Sequence, residues 1–207
     1  MRAPARRLRA LPPYVFLELQ RRRDEARAAG HDVIDLTVGN PDAPVPDVVP
    51  RALNDAMRTT GVHGYPPFRG SERLRRSVVD WYHRRFGVDL DPSREVLPVL
   101  GSKEGLYHLM QAYLDPGSSV LVPTPCYPAY LGAARLCDAT PIEIGLRAEN
   151  DFVLDLRDVP TDAARAASML VVNSPHNPTG AVTDREVWRE IVAFARKVTS
   201  FSRLQQR

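Results

Sequence analysis

Three short stretches hold the residues that could do chemistry. Gly101-Ser102-Lys103-Glu104-Gly105 follows an apolar run and opens a helical pattern. Backbone N–H groups at a helix start, a hydroxyl and an ammonium there suit an anion such as phosphate. The spacing is neither the dinucleotide-binding GxGxxG nor the P-loop pattern, and a structural turn with a helix cap explains it equally well. Pro125-Cys126-Tyr127-Pro128 comes next, where Tyr127 could stack on a planar ring or simply pack in the core. Asn173-Ser174-Pro175-His176-Asn177-Pro178-Thr179-Gly180 ends a third apolar run. Asn177 offers a donor and an acceptor, and His176 reads as a packed, hydrogen-bonded residue without a catalytic role.

Elements that bring these stretches together can be read from periodicity. Apolar runs at 96–100, 119–123 and 169–173, with TPIEIG at 140–145, read as four strands. Helices are expected from Ser102 through Leu114, from about Tyr127, and after a capping box at Thr183 and Glu186. Residues 146–162 read as a polar connector. This alternation predicts an α/β layer with a largely parallel sheet, and ligands of such sheets bind at the C-terminal strand ends. All three stretches then lie at one sheet edge, as a phosphate cup, an aromatic plate and an amide. A phosphorylated aromatic cofactor needs those three things.

Upstream, residues 14–29 read as a helix stopped by Gly30, and 33–38 (VIDLTV) as a short strand. Asp47 is expected to cap a helix to about Thr60, with Val49, Leu53 and Met57 on one face. Ser71 is expected to cap another, with Leu74, Val78 and Tyr82 on one face. A domain boundary falls near residues 45–50.

The chain resembles the N-terminal half of the class I/II aminotransferases, the pyridoxal-phosphate enzymes of fold type I. The likeness rests on LPPYVF (11–16), DLTVGNPD (35–42), HGYPPFRG (63–70), GSKEGL (101–106), DPGSSVLVPTPCYPAY (115–130) and NSPHNPTG (173–180), in the family's order. LPPYVF with GSKEG is most similar to the branch of LL-diaminopimelate aminotransferase and alanine transaminase. The resemblance implies an α/β fold, a mostly parallel sheet with flanking helices. Residues 1–46 would be an N-terminal arm and small-domain segment, 47–195 a partial large domain, and 196–207 an aberrant tail. It implies pyridoxal 5'-phosphate as cofactor, with Gly101, Ser102 and Lys103 at its phosphate, Tyr127 on its ring and Asn177 at its phenolic oxygen. Tyr65 would reach the cofactor phosphate of the partner subunit in a homodimer. Tyr14, the Gly39 backbone and Lys103 would contact an amino acid or 2-oxo acid substrate.

Transamination needs more: a Schiff-base lysine, an aspartate at the pyridine nitrogen and an arginine for the substrate carboxylate. In the family these follow the NPTG turn. The two lysines here, Lys103 and Lys197, match neither position nor role, so no catalytic residue is assigned. The last ten residues lose the family pattern, which raises a frameshift, a premature stop or a partial gene as explanations. The chain alone is therefore expected to be inactive, marginally stable and prone to aggregate. Rival readings are a cofactor-binding or dimerising fragment without activity, and another fold type I reaction such as a β-lyase or a cyclopropane-carboxylate-forming synthase. A Rossmann-type nucleotide binder is more distant, because no acidic ribose-binding residue is suitably placed.

Composition narrows the classes further. The net charge is +3, but 26 of the 28 basic residues are arginine, spread among acids without an aromatic-interleaved stripe. That argues against a nucleic-acid partner. The arginine-rich start has the composition of a transit peptide, yet no serine-rich stretch follows, which favours a solvated basic N-terminus. No apolar run reaches the ~18 residues of a membrane span. Cys126 and Cys137 lack metal-ligand spacing, so no metal is assigned, and free thiols in a cytoplasmic protein are the expectation.

Overall fold

The computed structural model describes residues 3–59, 61 and 63–205, with side chains as far as Lys197. By packing, the chain divides into two units, Pro13–Val99 and Met1–Pro12 with Leu100–Arg207.

The second of these carries the sheet. Its elements are α1 (Arg6–Arg9), α5 (Ser102–Tyr113), β1 (Ser119–Thr124), α6 (Ala129–Leu136), β2 (Thr140–Gly145), α7 (Thr161–Ala166), β3 (Ala167–Leu170) and α8 (Arg185–Gln205). The strands are parallel in the order β2-β1-β3, with Leu121 opposite Ile142 on one side and Leu170 on the other. β1 is a run of apolar residues because it is buried on both faces. Val120 and Val122 pack with Met110 of α5, with Leu114 just after it, and with Tyr130, Ala133 and Ala134 of α6. Leu121 points the other way, onto Ala163 and Ala164 of α7 and Ile191 of α8. The alternation along three residues thus builds two cores and a helix–sheet–helix sandwich. Leu121 is 1% exposed, and its burial contributes roughly 2–3 kcal/mol.

The connector at 146–162 is less polar in effect than in sequence. Leu154, between two single 3-10 turns, and Val159, just after the second, are buried in the second core. An Arg147–Asp158 ion pair of 2.6 Å closes the loop. α1, unforeseen in the sequence, is tied to the sheet unit by Arg6, 3.5 Å from Asp138.

The Pro13–Val99 unit contains α2 (Val15–Ala28), α3 (Val48–Met57) and α4 (Glu72–Phe86). No residue described in it is buried. α2 matches its expected span, and α4 starts directly after Ser71 and includes Leu74, Val78 and Tyr82. α4 ends on Gly87 at φ 65°, a left-handed cap. α3 ends at Met57, and Thr60, where the pattern suggested a stop, lies outside the described residues. Asp47 and Ser71 stand at the N-caps, but neither side chain makes the capping bond.

Two expected strands are irregular chain. At 33–38, the Asp35 carboxylate accepts from the Thr37 N–H (3.0 Å) and hydroxyl (2.6 Å) and from Arg23 (2.9 Å). This side-chain turn competes with a ladder, and it holds the Asp35 carboxyl well below its usual range. At 96–100, Pro98 lacks the N–H a ladder needs. Both sides of β1 are already taken by β2 and β3. The strand expected at 169–173 is set two residues earlier, at Ala167–Leu170, although the Val171 N–H still donates to Leu121 (3.0 Å). The cap of α8 shifts by one residue. Asp184, not Thr183, accepts from the Val187 N–H (2.9 Å), and Glu186 pairs with Arg189. The tail expected to be aberrant lies partly in α8, whose backbone runs to Gln205.

Candidate functional site

The chain leaves β1 through Pro125–Pro128 into α6, which covers one face of the sheet. It leaves the adjacent β3 through Val171–Thr183 into α8, which covers the other face. Two neighbouring parallel strands whose exits part to opposite faces open a crevice at their C-terminal ends. Tyr127 and Asn177 sit on these two exits.

The turn at 173–180 is built by its own side chains. Asn173 accepts from the Asn177 N–H (2.8 Å) and donates to the Pro175 carbonyl (3.0 Å). His176 closes the turn with its backbone, donating to Ala181 (2.8 Å) and accepting from Gly180 (2.7 Å). Asn177 is left exposed on a backbone that is fixed. Ser174 extends the network by accepting from the Thr183 N–H (2.9 Å).

Tyr127 is half-buried, its ring edge-on to Tyr130 at 5.7 Å. The Lys103 ammonium lies 5.7 Å from the Tyr127 ring centroid. The start of α5 and the β1 exit therefore share one space, with a cation over an aromatic plate. Gly101 precedes α5 at φ 90°, ψ 155°, a conformation almost restricted to glycine. A Cβ built there meets nothing within 4 Å, so open space faces the helix start. The Glu104 carboxylate accepts from the Leu100 N–H, which turns the one acid of the first turn back onto the preceding chain. Ser102 and Lys103 are exposed.

The sheet unit thus contains Gly101, Ser102, Lys103, Tyr127 and Asn177, with Lys103 against the Tyr127 ring and Asn177 on the neighbouring strand exit. Tyr14, Gly39 and Tyr65 belong to the Pro13–Val99 unit. Tyr14 is the residue before α2, 5.4 Å from the Phe16 ring. A Cβ on Gly39 would meet nothing within 4 Å, and Tyr65 is fully exposed. Asn173, Thr179 and Glu104, which organise the turn and the helix start, received no role from the sequence. An Asn placed before Ser-Pro at the end of an apolar run is the signal for such a side-chain-bonded turn.

Nearby groups titrate outside their ordinary ranges. Burial raises the Cys126 thiol, helped by Glu143, and likewise raises the Tyr130 hydroxyl. Burial lowers His176, so the imidazole is neutral near pH 7.

The model of the aminotransferase class I and II family matches residues 31–201. The chain belongs to that family. An LL-diaminopimelate aminotransferase of Desulforudis audaxviator is 45% identical over 193 residues, covering 93% of this chain and 49% of the relative. The substrate-bound BacF structure from Bacillus subtilis superposes with a TM-score of 0.88 at 34% identity, over 96% of this chain and 50% of that one. An aspartate aminotransferase from Thermus thermophilus gives 0.85 at 32%, over 96% and 51%. The fold is that of these fold type I enzymes, and the chain spans about half the length of the relatives it matches. The branch likeness carried by LPPYVF and GSKEG agrees with the diaminopimelate aminotransferases among the relatives.

The donor set fits a phosphorylated pyridine. The start of α5 with Ser102 and Lys103 gives N–H, hydroxyl and ammonium donors for a phosphate. Tyr127 gives a plate, and Asn177 a donor for a phenolic oxygen. Among the described residues no helix is long and apolar enough to cross a membrane.

Proposed function

We propose that this chain is the cofactor-cradling half of a pyridoxal-phosphate aminotransferase, which moves an amino group from an amino acid to a 2-oxo acid. One observation carries the reading: the Lys103–Tyr127 contact and the crevice between the β1 and β3 exits gather the cup, plate and amide within one packed unit. Bound there, the cofactor would supply an electron sink for the substrate's Cα. The chain's own residues bind and orient it. Gly101 keeps the approach open, Ser102 and Lys103 neutralise the phosphate, Tyr127 holds the ring face, and Asn177 fixes the ring's rotation. Family likeness gives Tyr65 the partner subunit's phosphate in a homodimer, and gives Tyr14, Gly39 and Lys103 the substrate. On the same grounds residues 1–46 belong to a small domain and 47–195 to a large one, in a cytoplasmic enzyme. Substrates of the diaminopimelate or alanine–glutamate kind follow from the branch likeness.

Neither lysine of these 207 residues is placed to form a Schiff base with the cofactor. Lys103 stands at the phosphate end. Lys197 lies twelve residues into α8, about 18 Å along a helix that starts at the sheet edge. The purified chain with pyridoxal phosphate is therefore expected to show no amino transfer from alanine, glutamate or LL-diaminopimelate to 2-oxoglutarate above the cofactor's own background.

A chimera tests the activity. Residues 1–195 are joined to the second half of the Desulforudis audaxviator relative, and transfer is assayed with each donor. Transfer is expected. A chimera that binds the cofactor but transfers no amino group ends the aminotransferase reading and favours a β-lyase or a purely binding role.

A further inference from the structure

Lys103 is the second residue of α5, at the end of the helix where the dipole is positive and an ammonium is disfavoured. The side chain leans instead to Tyr127, with Nζ 5.7 Å from the ring centroid. The face of a tyrosine carries the negative part of the ring quadrupole, which attracts a cation. Tyr127 also packs against the first core and meets Tyr130 edge-on. What is left of the half-buried ring is its solvent side, and the exposed Lys103 lies on that side. Stacked aromatic rings stand with centroids ~4.5–7 Å apart. The ammonium, at 5.7 Å, therefore stands where a stacked pyridine would lie.

We propose that Lys103 is a specificity-determining residue that guards the Tyr127 plate and yields it only to a flat ring that carries an anion. This selection rests on the cradle described above. An uncharged flat ring must take the place of the ammonium and gives it nothing in return. A phosphorylated ring brings an anion to the start of α5, where Ser102 and the first N–H groups also donate. The ammonium then passes from ring to phosphate by turning its flexible four-carbon stem, with no movement of the backbone. A lysine that served only as a phosphate ligand would have no bearing on a ligand without phosphate. A guard has the opposite signature: its removal weakens the phosphorylated ligand and strengthens the bare one.

The test is calorimetric titration of the full chain, of Lys103→Ala and of Lys103→Arg, each with pyridoxamine phosphate and with pyridoxamine. Lys103→Ala is expected to bind pyridoxamine about two- to fivefold more tightly than the wild type, the worth of an exposed cation–ring contact, while it loses affinity for the phosphorylated ligand. Lys103→Arg keeps a cation that stacks on the ring, so it should bind pyridoxamine as weakly as the wild type does. Pyridoxamine bound no more tightly by Lys103→Ala overturns the guard, and so does an equal gain in Lys103→Arg. If the wild type binds neither ligand, the cradle reading fails. In that case, and wherever pyridoxamine is too weak to titrate, 1H–13C spectra of the wild type with inorganic phosphate decide the guard. Lys103 and Lys197 are the only lysines, so the ε-methylene signal of Lys103 is read without crowding. The guard predicts that the Tyr127 ring displaces this signal upfield, and that Tyr127→Leu or added phosphate returns it to its ordinary position. A signal at its ordinary position in the free chain, or one that phosphate leaves displaced, overturns the guard.

Discussion

The sheet unit and the Pro13–Val99 unit have similar densities of apolar residues but opposite fates for them. In the sheet unit, Val120, Leu121 and Val122 are each at most 1% exposed. In the other, Leu36 is 89% exposed and Leu53 61%, and no described residue is buried. Helices α2–α4 therefore rest on local bonds such as the Glu18–Arg21 and Glu72–Arg76 pairs. Such exposed pairs are each worth about 0–1 kcal/mol, far too little to fix a domain. An apolar helix face without a cover is a surface built to be covered, and here the uncovered unit also holds Tyr14, Gly39 and Tyr65. The covered unit holds the proposed cradle, and the uncovered one the residues proposed for substrate and partner.

Hydrogen exchange gives this contrast its largest expected effect. Amides of β1 and α5 should exchange at least a hundredfold more slowly than those of α3, and limited proteolysis should cut first within 13–99. Equal protection of both units would erase the contrast. Core truncation comes next. Leu121→Ala should cost about 2–5 kcal/mol in denaturant unfolding, whereas Leu53→Ala should change stability by less than about 0.5 kcal/mol. A large cost at Leu53 would mean that α3 is covered in solution. At the helix cap, Asp184→Ala should cost about 1 kcal/mol through the lost bond to the Val187 N–H.

A smaller effect follows from His176. Burial lowers its pKa below the ordinary 6.5, so between the two values the unfolded chain binds a proton that the folded chain refuses. The sheet unit should be at full stability above pH 6.5 and lose stability as pH falls below it, towards the folded-state value. Urea midpoints of the wild type minus those of His176→Phe, from pH 7 to pH 5, isolate this loss. A difference independent of pH would contradict the buried neutral imidazole.

The sheet unit was legible in the sequence because its signals are local and agree. TPIEIG forms β2 at 140–145, and GSKEG opens α5 as expected. Failures came where a strand must find a partner. VIDLTV has the right periodicity, yet Asp35 and Thr37 bond each other, and VLPVL carries Pro98. Periodicity records which face could be buried and not whether a neighbouring strand is there. The site's chemical groups could be named from the sequence. The contact of Lys103 with Tyr127 could not, because the two lie 24 residues apart and only the packing of α5 beside the β1 exit brings them together.

The central claim is that the start of α5, Tyr127 and Asn177 form a cradle for a phosphorylated pyridine without a covalent lysine. Calorimetric titration of the full chain with pyridoxamine phosphate and with pyridoxamine tests it most directly, since neither amine forms a Schiff base with a lysine. The account predicts binding of the phosphorylated ligand, at least about tenfold weaker binding of the other, and a comparable loss in Lys103→Gln and Asn177→Ala. Equal affinity for both ligands, or binding indifferent to both substitutions, would contradict it.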